Sequence, residues 1–401
     1  MTREETLLLL LQAASMLTFA VIFGQLARLL KMPTVIGELF GGIVLGPTIV
    51  GRIAPGFEQW LFPPTGVAAI GREAIVKLGL ICFLFVAGLE VNLRHIRRHG
   101  VAVAGTSIGG ILLPFGTAWL AVQLAPSLWR QSLPINHFAL FLGAALAISA
   151  LPVIARIILD LGYEKLPIAS IVLASATIDD LLGWSLFALV LATLSPVHAA
   201  TNITLTVITV IVLTIFIATV GRRLIVSARQ RIHAGSRIAI AAVVVILLAV
   251  LLEWIGVNAV FGAFLAGVAM AREPDERESE GLRQLAIGVL APLFFVSLGL
   301  RVDFIANFDW LLVIVVVVIA SAGKIAGATL GARLGGLPLR EAAAVGMAMN
   351  ARGAVEMVLA SVALEAKLID TRMFVALVVM AVVTSAVAGP SMRMMLREPL
   401  Q

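Results

Sequence analysis

Charged residues and cysteine are scarce in this sequence. Of its 401 residues, 13% are charged and 61% are hydrophobic, and the mean hydropathy is +1.07. A soluble domain carries roughly a quarter charged residues, so the composition excludes an ordinary water-soluble fold. The single cysteine, Cys82, excludes an intrachain disulfide, and its position in an apolar run indicates packing rather than redox chemistry. Long apolar runs take the place of charge, and they need lipid as their solvent.

Other features are also missing from the chain. Its start, MTREETLLLLLQ, lacks a cationic segment and a small-residue cleavage site, so it predicts the approach to a first spanning helix instead of a signal peptide. No loop is long enough for a soluble catalytic domain, and no nucleophile–base or metal-ligand constellation is present. We therefore predict neither an enzyme nor a cofactor. Whatever the protein does, it does within its apolar spans.

The apolar runs predict thirteen membrane spans, and the basic residues predict their orientation. Most Lys and Arg residues fall in the loops after odd-numbered spans and at the C-terminus, which places those loops in the cytoplasm and the N-terminus outside. We expect a multi-pass inner-membrane protein, in which the net charge of +6 reflects topology and contact with anionic lipid and does not indicate nucleic acid. The spans are 6–30, 33–50, 68–89, 100–125, 135–160, 167–194, 200–221, 238–256, 258–271, 284–300, 308–332, 339–364 and 371–395.

Two short patterns recur along the chain in the same order. Phe40–Gly46 in span 2 matches Phe261–Gly267 in span 9, and FVAGLEVN (85–92) in span 3 matches FVSLGLRVD (295–303) in span 10. Each pair is seven spans apart, so the two copies cross the membrane in opposite directions. Inverted repeats of this kind are typical of secondary transporters. The predicted organisation is a first repeat at 1–194, a linker span and basic loop at 195–237, and a second repeat at 238–401.

The repeat pairs span 5 with span 12, and both contain helix-breaking residues. Span 5 has Pro152 at mid-membrane, and span 12 has the polar, glycine-containing stretch Asn350–Gly353. If both helices unwind there and cross, their positive and negative half-helix ends meet and need compensating charge. A simple proline kink in span 5 is the alternative.

Ionisable residues at mid-membrane are costly and are functional by default. Asp179 and Asp180 are adjacent in the middle of span 6, and the candidate partners for their charge are Lys324 in span 11 and Arg352 in span 12. Arg352 could instead pair with Glu356, four residues later. A buried carboxylate can hold either a proton or a monovalent cation, and competition for the same oxygen atoms is the minimal form of antiport. The structural alternative is that these charges only neutralise helix dipoles and one another.

Seven stretches together resemble the membrane part of the monovalent cation:proton antiporter-2 family, which includes bacterial sodium/proton antiporters, Kef-type potassium/proton systems and plant cation/proton exchangers. The resemblance covers nearly the whole chain. The stretches are IGELFGGIVLGP (36–47), ALAISALPVIARI (145–157), SATIDDLLGW (175–184), FGAFLAGVAM (261–270), PLFFVSLGLRVD (292–303), GKIAGATLGARLGGLPLREA (323–342) and GMAMNARGAVEMVLASVAL (346–364).

The resemblance implies the sodium/proton antiporter fold, an all-α protein of about thirteen transmembrane helices in two inverted six-helix repeats with crossing interrupted helices. It also implies a homodimer. Asp180 is then the ion-binding residue, and Asp179 pairs with Lys324. We further expect the hydroxyls of Ser149 and Thr177 to join the cation site. The residues expected to compensate charge at the helix crossing are Arg352, Glu356 and Asn350.

The transported cation is left open by the sequence. The Asp-Asp pair and the end of the chain at Gln401 favour an ungated sodium type, since Kef-type members tend to carry Gln-Asp and a C-terminal regulatory domain. Leu151-Pro152 and Glu356 depart from the sodium pattern, so a Kef-type or plant-type K⁺/H⁺ antiporter is the alternative, and Li⁺ is a further candidate substrate. A channel or a cation-coupled organic solute symporter on a similar scaffold is the competing class.

Overall fold

The computed structural model describes residues 1–30, 32–89, 100–129, 134–163, 166–194, 216–221, 234–255, 258–271 and 283–396, with the single residues Val212, Arg223 and Gly281. Over these residues the chain is helical and has no strand, which confirms the predicted all-α class. The helices are α1 Arg3–Leu29, α2 Thr34–Leu45, α3 Val50–Ile53, α4 Pro55–Leu61, α5 Val67–Leu89, α6 Gly100–Leu124, α7 Pro126–Trp129, α8 Ile135–Ala147, α9 Leu151–Asp160, α10 Pro167–Leu194, α11 Ala234–Trp254, α12 Ala259–Met270, α13 Ala291–Arg301, α14 Trp310–Leu334, α15 Leu339–Met349, α16 Ala354–Glu365 and α17 Thr371–Leu396, with π-helical turns at Ile217–Gly221 and Ala286–Leu290.

Many helices of the described chain have the length and apolar composition of membrane-spanning helices. Eight spans are long and apolar enough to cross one, or nine if the bent pair α15 and α16 counts as a single span. Helix α1 leaves large apolar side chains such as Leu10 and Val21 exposed, which fits lipid and not water as their surroundings. The predicted count of thirteen spans stays a prediction, since most of span 7 and of the 195–237 linker lies outside the described residues.

The chain divides into two compact units. The first unit contains Met1–Val91 and Leu191–Ala306, and the second unit contains Asn92–Val190 and Asn307–Gln401. Each unit therefore combines a segment of each predicted repeat. The repeat boundaries themselves stay a prediction.

In the first unit, glycines let helix pairs approach until their backbones touch. A methyl group added at Gly42 of α2 would meet the Val296 carbonyl of α13, and one added at Gly267 of α12 would meet the Phe85 carbonyl of α5. These helices carry the recurring sequence patterns, so α2 packs on α13 and α12 packs on α5. The motif glycines thus act as packing positions.

In the second unit, α6 and α14 pack against each other along a seam of glycines. A methyl at Gly109 of α6 would meet the Gly327 carbonyl of α14, and Gly105 faces Gly331 in the same way. Side chains at these positions would separate the two backbones. The seam of glycines therefore sets the distance between the helix that carries Lys324 and its neighbour.

The start of α14 is fixed by a charged cap. Asp309 Oδ1 accepts a hydrogen bond of 3.0 Å from the Leu312 amide, and its Oδ2 pairs with Arg372 of α17 at 2.8 Å. The amide of Leu312 first, and Arg372 in addition, hold the pKa of the Asp309 carboxyl below its usual value. The cap therefore keeps its charge and ties α14 to α17.

Two helices of the second unit are interrupted, as predicted. Helix α8 ends at Ala147 and α9 begins at Leu151, with Ile148 and Ala150 in extended conformations (ψ 145° and 98°). Helix α15 ends at Met349 and α16 begins at Ala354, with a bend of 44°. The two breaks meet, because the Ala150 amide donates to the Ala351 carbonyl at 3.1 Å. The alternative of a simple kink at Pro152 is wrong.

Arg352 lies in the second break and compensates the end of the first broken helix. Its guanidinium donates to the carbonyls of Ala145, at 3.2 Å, and Leu146, and also contacts Glu356 at 3.0 and 3.1 Å. These carbonyls belong to the last turn of α8 and have no partner within that helix. The Arg352 and Glu356 side chains are almost completely buried. Asn350 was predicted to share this task, and that role stays a prediction; its amide donates to Ser321 of α14 at 3.3 Å.

The glycine seam predicts a sharp difference between two substitutions in α6. Gly109→Ala forces a methyl against the Gly327 carbonyl, whereas a methyl at Gly116 meets no atom of the described chain within 4 Å. We expect Gly109→Ala to lower the thermal unfolding midpoint in detergent and Gly116→Ala to leave it unchanged or raise it, because alanine is the better helix former. Equal unfolding midpoints for the two variants would contradict the claim that Gly109 is needed for the close packing of α6 on α14.

The Arg352–Glu356 pair predicts unequal effects of removing its two members. Arg352→Met leaves a buried carboxylate and the α8 carbonyls without their donor, a loss of about 3–5 kcal/mol by comparison with other broken buried pairs. Glu356→Gln retains an acceptor for Arg352, so it should cost less. Thermal unfolding of both variants and of the double variant measures the coupling. An Arg352→Met protein as stable as wild type would refute this role.

Candidate functional site

A fully buried ion pair joins α10 to α14 in the second unit. Lys324 Nζ lies 2.6 Å from Asp179 Oδ2, and both side chains are 0% exposed. Two buried charges are stable only if their remaining hydrogen-bonding groups are satisfied. The surroundings of this pair therefore decide whether it can exist in its charged form.

The Lys324 ammonium has three acceptors for its three hydrogens. Besides Asp179, it donates to the Gly110 carbonyl of α6 at 2.9 Å and to the Ala147 carbonyl at 2.5 Å. Ala147 is the last residue of α8, where the helix dipole is negative. Lys324 thus neutralises a carboxylate and a half-helix end together.

A serine hydroxyl from the first break lies beside the Asp179 carboxylate. Ser149, in the extended segment between α8 and α9, lies 3.3 Å from Oδ2 and also donates to the Met349 carbonyl at 2.8 Å. Ser107 of α6 donates to the Ser175 carbonyl of α10 at 3.2 Å. Asp179 is therefore linked to α14 and to the first break.

Asp180 and Thr177 lie on an adjacent face of α10. Consecutive helical residues point about 100° apart, and residues three apart share a face. Asp180 is 5% exposed and Thr177 is 3% exposed. The Thr177 hydroxyl donates to the Leu173 carbonyl in its own helix at 2.8 Å. Gly183, three residues after Asp180, has the Ile148 side chain packed directly on it, so the first break passes within one helical turn of both aspartates.

The structure brings together most of the residues predicted from the sequence. Asp179, Lys324 and Ser149 form one hydrogen-bonded group, and Arg352 with Glu356 forms a second at the end of the same broken helix. Of the two candidate cations, Lys324 is the one that pairs with Asp179. The roles predicted for Asp180 and Thr177 in binding a cation stay predictions.

Helix α6 was missed as a component of the site. The Gly110 carbonyl accepts a hydrogen bond from Lys324. Ser107 donates to the Ser175 carbonyl at 3.2 Å, and Ser175 of α10 donates to the Val103 carbonyl at 3.3 Å. The signal was available in Gly105–Gly110, whose glycines match the spacing of those in GKIAGATLG (323–331). A seam of small residues facing the lysine helix would have placed α6 beside it.

Two carboxylates and one ammonium, all able to gain or lose a proton, lie close together around the middle of α10. Two carboxylates lie within one turn of α10, and one of them is already paired with an ammonium. A serine hydroxyl and main-chain carbonyls surround the pair. Oxygen ligands of these kinds suit hard monovalent and divalent cations, and carboxylates also accept protons. Such a cluster can exchange one for the other.

Known proteins resemble this chain over almost its full length. It is 31% identical to the Na(+)/H(+) antiporter NhaS4 of Synechocystis sp., covering 97% of both chains. It is also 31% identical to the cation/H(+) antiporter 18 of Arabidopsis thaliana and 30% identical to the K(+)/H(+) antiporter 1 of Saccharomyces cerevisiae. These two alignments cover 96% of this chain, which spans about half the length of those two relatives.

The fold is also shared with a solved structure. The sodium proton antiporter MjNhaP1 of Methanocaldococcus jannaschii superposes with a TM-score of 0.70 over 98% of this chain and 100% of that one, at 18% identity. At that identity the likeness concerns the fold alone. The family model described as the transmembrane sodium/hydrogen exchanger matches residues 15–398. With the motifs and the paired breaks, that match establishes that the chain belongs to the sodium/hydrogen exchanger family of membrane transporters.

Proposed function

We propose that this protein exchanges a monovalent cation for protons across a membrane. The observation that carries the proposal is the buried Asp179–Lys324 pair beside Asp180, at the meeting point of two interrupted helices. Its relatives are named as Na⁺/H⁺, cation/H⁺ and K⁺/H⁺ antiporters. A carrier is favoured over a channel because the buried charged groups described in the second unit lie around the two breaks: Asp179, Asp180, Lys324, Arg352 and Glu356.

In the proposed cycle, Asp180 binds either the cation or a proton, with the hydroxyls of Ser149 and Thr177 as further oxygen ligands. Asp179 and Lys324 form the second titrating element. When a cation engages the carboxylates, the pair opens and the lysine releases its proton, so that exchange moves net charge. Alternating access then exposes the site to each side in turn.

Na⁺ is the favoured substrate, with Li⁺ or K⁺ as alternatives. The Asp-Asp pair and the similarity to a Na(+)/H(+) antiporter over 97% of both chains favour Na⁺. The K(+)/H(+) antiporter among the relatives supports the alternative of a K⁺/H⁺ antiporter of the Kef or plant-exchanger type. A cation-coupled organic solute symporter is the second class, and it predicts no proton flux on cation addition.

We further propose an inner-membrane homodimer with its N-terminus outside and its C-terminus in the cytoplasm, built from inverted repeats at 1–194 and 238–401. The distribution of basic residues supports the orientation, and the matching breaks of α8–α9 and α15–α16 support the repeats. The family resemblance supports the dimer. Native mass spectrometry of the detergent-solubilised protein tests the oligomeric state.

Proteoliposomes under an imposed pH gradient test the function and the role of Asp180 together. We expect added Na⁺, Li⁺, K⁺ or Rb⁺ to drive proton flux with a ranked preference, and Asp180→Asn to abolish that flux because the amide cannot exchange a proton for a cation. Asp370→Asn, at an exposed position, is the matched control. Absence of cation-driven flux in wild type refutes exchange, and substantial flux in Asp180→Asn refutes the site.

Lys324→Ala tests the second titrating element. Without the ammonium, the cycle loses the proton that the lysine carries, so transport currents on a supported membrane should fall strongly or vanish even if exchange persists. Because the change also breaks a buried pair, the unfolding midpoint must be measured in parallel. Undiminished currents from a folded Lys324→Ala protein would eliminate Lys324 as a proton carrier.

A further inference from the structure

Asn350, at the end of α15, carries a buried oxygen that the described part of the chain leaves without a hydrogen bond. The residue is 4% exposed, and its side-chain nitrogen donates to Ser321 of α14 at 3.3 Å. Its Oδ1 has no hydrogen-bond partner among the described residues. Most buried polar side-chain atoms in proteins are hydrogen-bonded, so an exception calls for an explanation, such as a role in binding an ion.

The group without a partner is an acceptor and not a donor. An amide oxygen has two lone pairs and no hydrogen, so it cannot donate to an anion, whereas amide oxygens are ordinary ligands of hard cations alongside carboxylates and main-chain carbonyls. Unlike a carboxylate, the amide does not take up a proton in the physiological range. Asn350 therefore offers an oxygen to a cation without offering it to a proton.

Asn350 lies beside groups that the proposed cycle assigns to the cation. The carbonyl of the preceding residue accepts the Ser149 hydroxyl at 2.8 Å, and the same hydroxyl lies 3.3 Å from Asp179 Oδ2. Ser321, which accepts from the Asn350 amide, precedes Lys324 by three residues, and residues three apart are neighbours on a helix surface. Asn350 is thus tied by its backbone to the hydroxyl beside one member of the ion pair, and by its side chain to the helical turn that precedes the other.

We propose that Asn350 Oδ1 is a further ligand of the transported cation; this inference rests on the proposed function. Asp180 supplies the charge for which the cation and the proton compete. The Asn350 oxygen supplies a neutral ligand that replaces part of the water that the cation loses on entering the site. Cation binding then gives the buried oxygen a partner, and no proton is gained or lost by Asn350.

Thr329 offers a matched control in the same helix interface. Its Oγ1 is also buried without a hydrogen-bond partner in the described part of the chain, and it lies against Gly346 of α15, one helical turn before Asn350. Thr329→Val and Asn350→Leu therefore each delete such an oxygen between α14 and α15 while nearly keeping the side-chain shape. Only Asn350→Leu removes an oxygen at the break. Ser321→Ala is a second control, because it removes the partner of Asn350 Nδ2 and leaves Oδ1 in place.

The experiment measures thermal unfolding of the detergent-solubilised protein across a concentration series of NaCl, LiCl or KCl, with choline chloride holding the ionic strength constant. For the cation that stabilises wild type most, we expect Asn350→Leu to need an about tenfold higher concentration for half-maximal stabilisation, the size expected for one lost oxygen contact to a charged group. Thr329→Val and Ser321→Ala should keep the wild-type concentration. In proteoliposomes, the apparent KM of Asn350→Leu for that cation should rise by a similar factor, with a maximal rate within about threefold of wild type.

A ligand and a structural residue predict different results. If Asn350 only supports the fold, Asn350→Leu lowers the unfolding midpoint without cation and leaves the half-maximal cation concentration unchanged, which overturns the inference. An equal rise of that concentration in Thr329→Val also overturns it. If Asn350→Leu does not fold, Asn350→Ala replaces it with the same rise expected, and an unchanged concentration is again contrary. Absent cation-driven flux in wild type refutes the proposed function, whereas normal wild-type flux with an unshifted Asn350 variant refutes only the role of Asn350.

Discussion

The last turn of α8 is the part of the structure on which the site depends. A helix that stops inside a membrane leaves carbonyl groups that lipid cannot satisfy, together with the negative end of its dipole. Arg352 donates hydrogen bonds to the carbonyls of Ala145 and Leu146, and Lys324 donates one to the carbonyl of Ala147. Each of these cations then needs a counter-charge, which Glu356 and Asp179 supply. The buried charges are therefore the consequence of breaking the helix.

Close helix packing makes this compensation geometrically possible. The lysine side chain reaches an α6 carbonyl and an α8 carbonyl at once only because the glycines of α6 and α14 bring those backbones together. Moving two charges out of water costs several kcal/mol per ion, and this cost is offset only by well-placed partners. A larger residue in the glycine seam would push α6 away from α14 and so separate the Gly110 carbonyl from the Lys324 ammonium. It would weaken the ion pair without contacting it.

The sequence predicted the residues of the site better than their contacts. The adjacent aspartates, Lys324 and the breaks near Pro152 and Asn350 are visible because charge and proline are rare in membrane helices. For Arg352 the sequence allowed two partners, the aspartates of α10 or Glu356 one helical turn later. Only tertiary contacts decide between them. The Gly110 carbonyl could not be recognised as an acceptor for Lys324, because a main-chain group leaves no mark in the sequence. Asn350 was assigned to the crossing charges by its position, and its contact with Ser321 could not be read from the sequence.

The three acceptors of Lys324 also constrain how its proton can leave. A neutral amine has two hydrogens, so deprotonation leaves one of the three oxygens without a donor and leaves the end of α8 without its compensating charge. A cation that arrives beside Asp179 restores both, because it supplies positive charge and binds oxygen. We therefore expect the lysine to give up its proton only when the cation is present, which would couple the two movements through the oxygens of Asp179, Ala147 and Gly110. An uncompensated half-helix end therefore disfavours release of the lysine proton when the cation is absent.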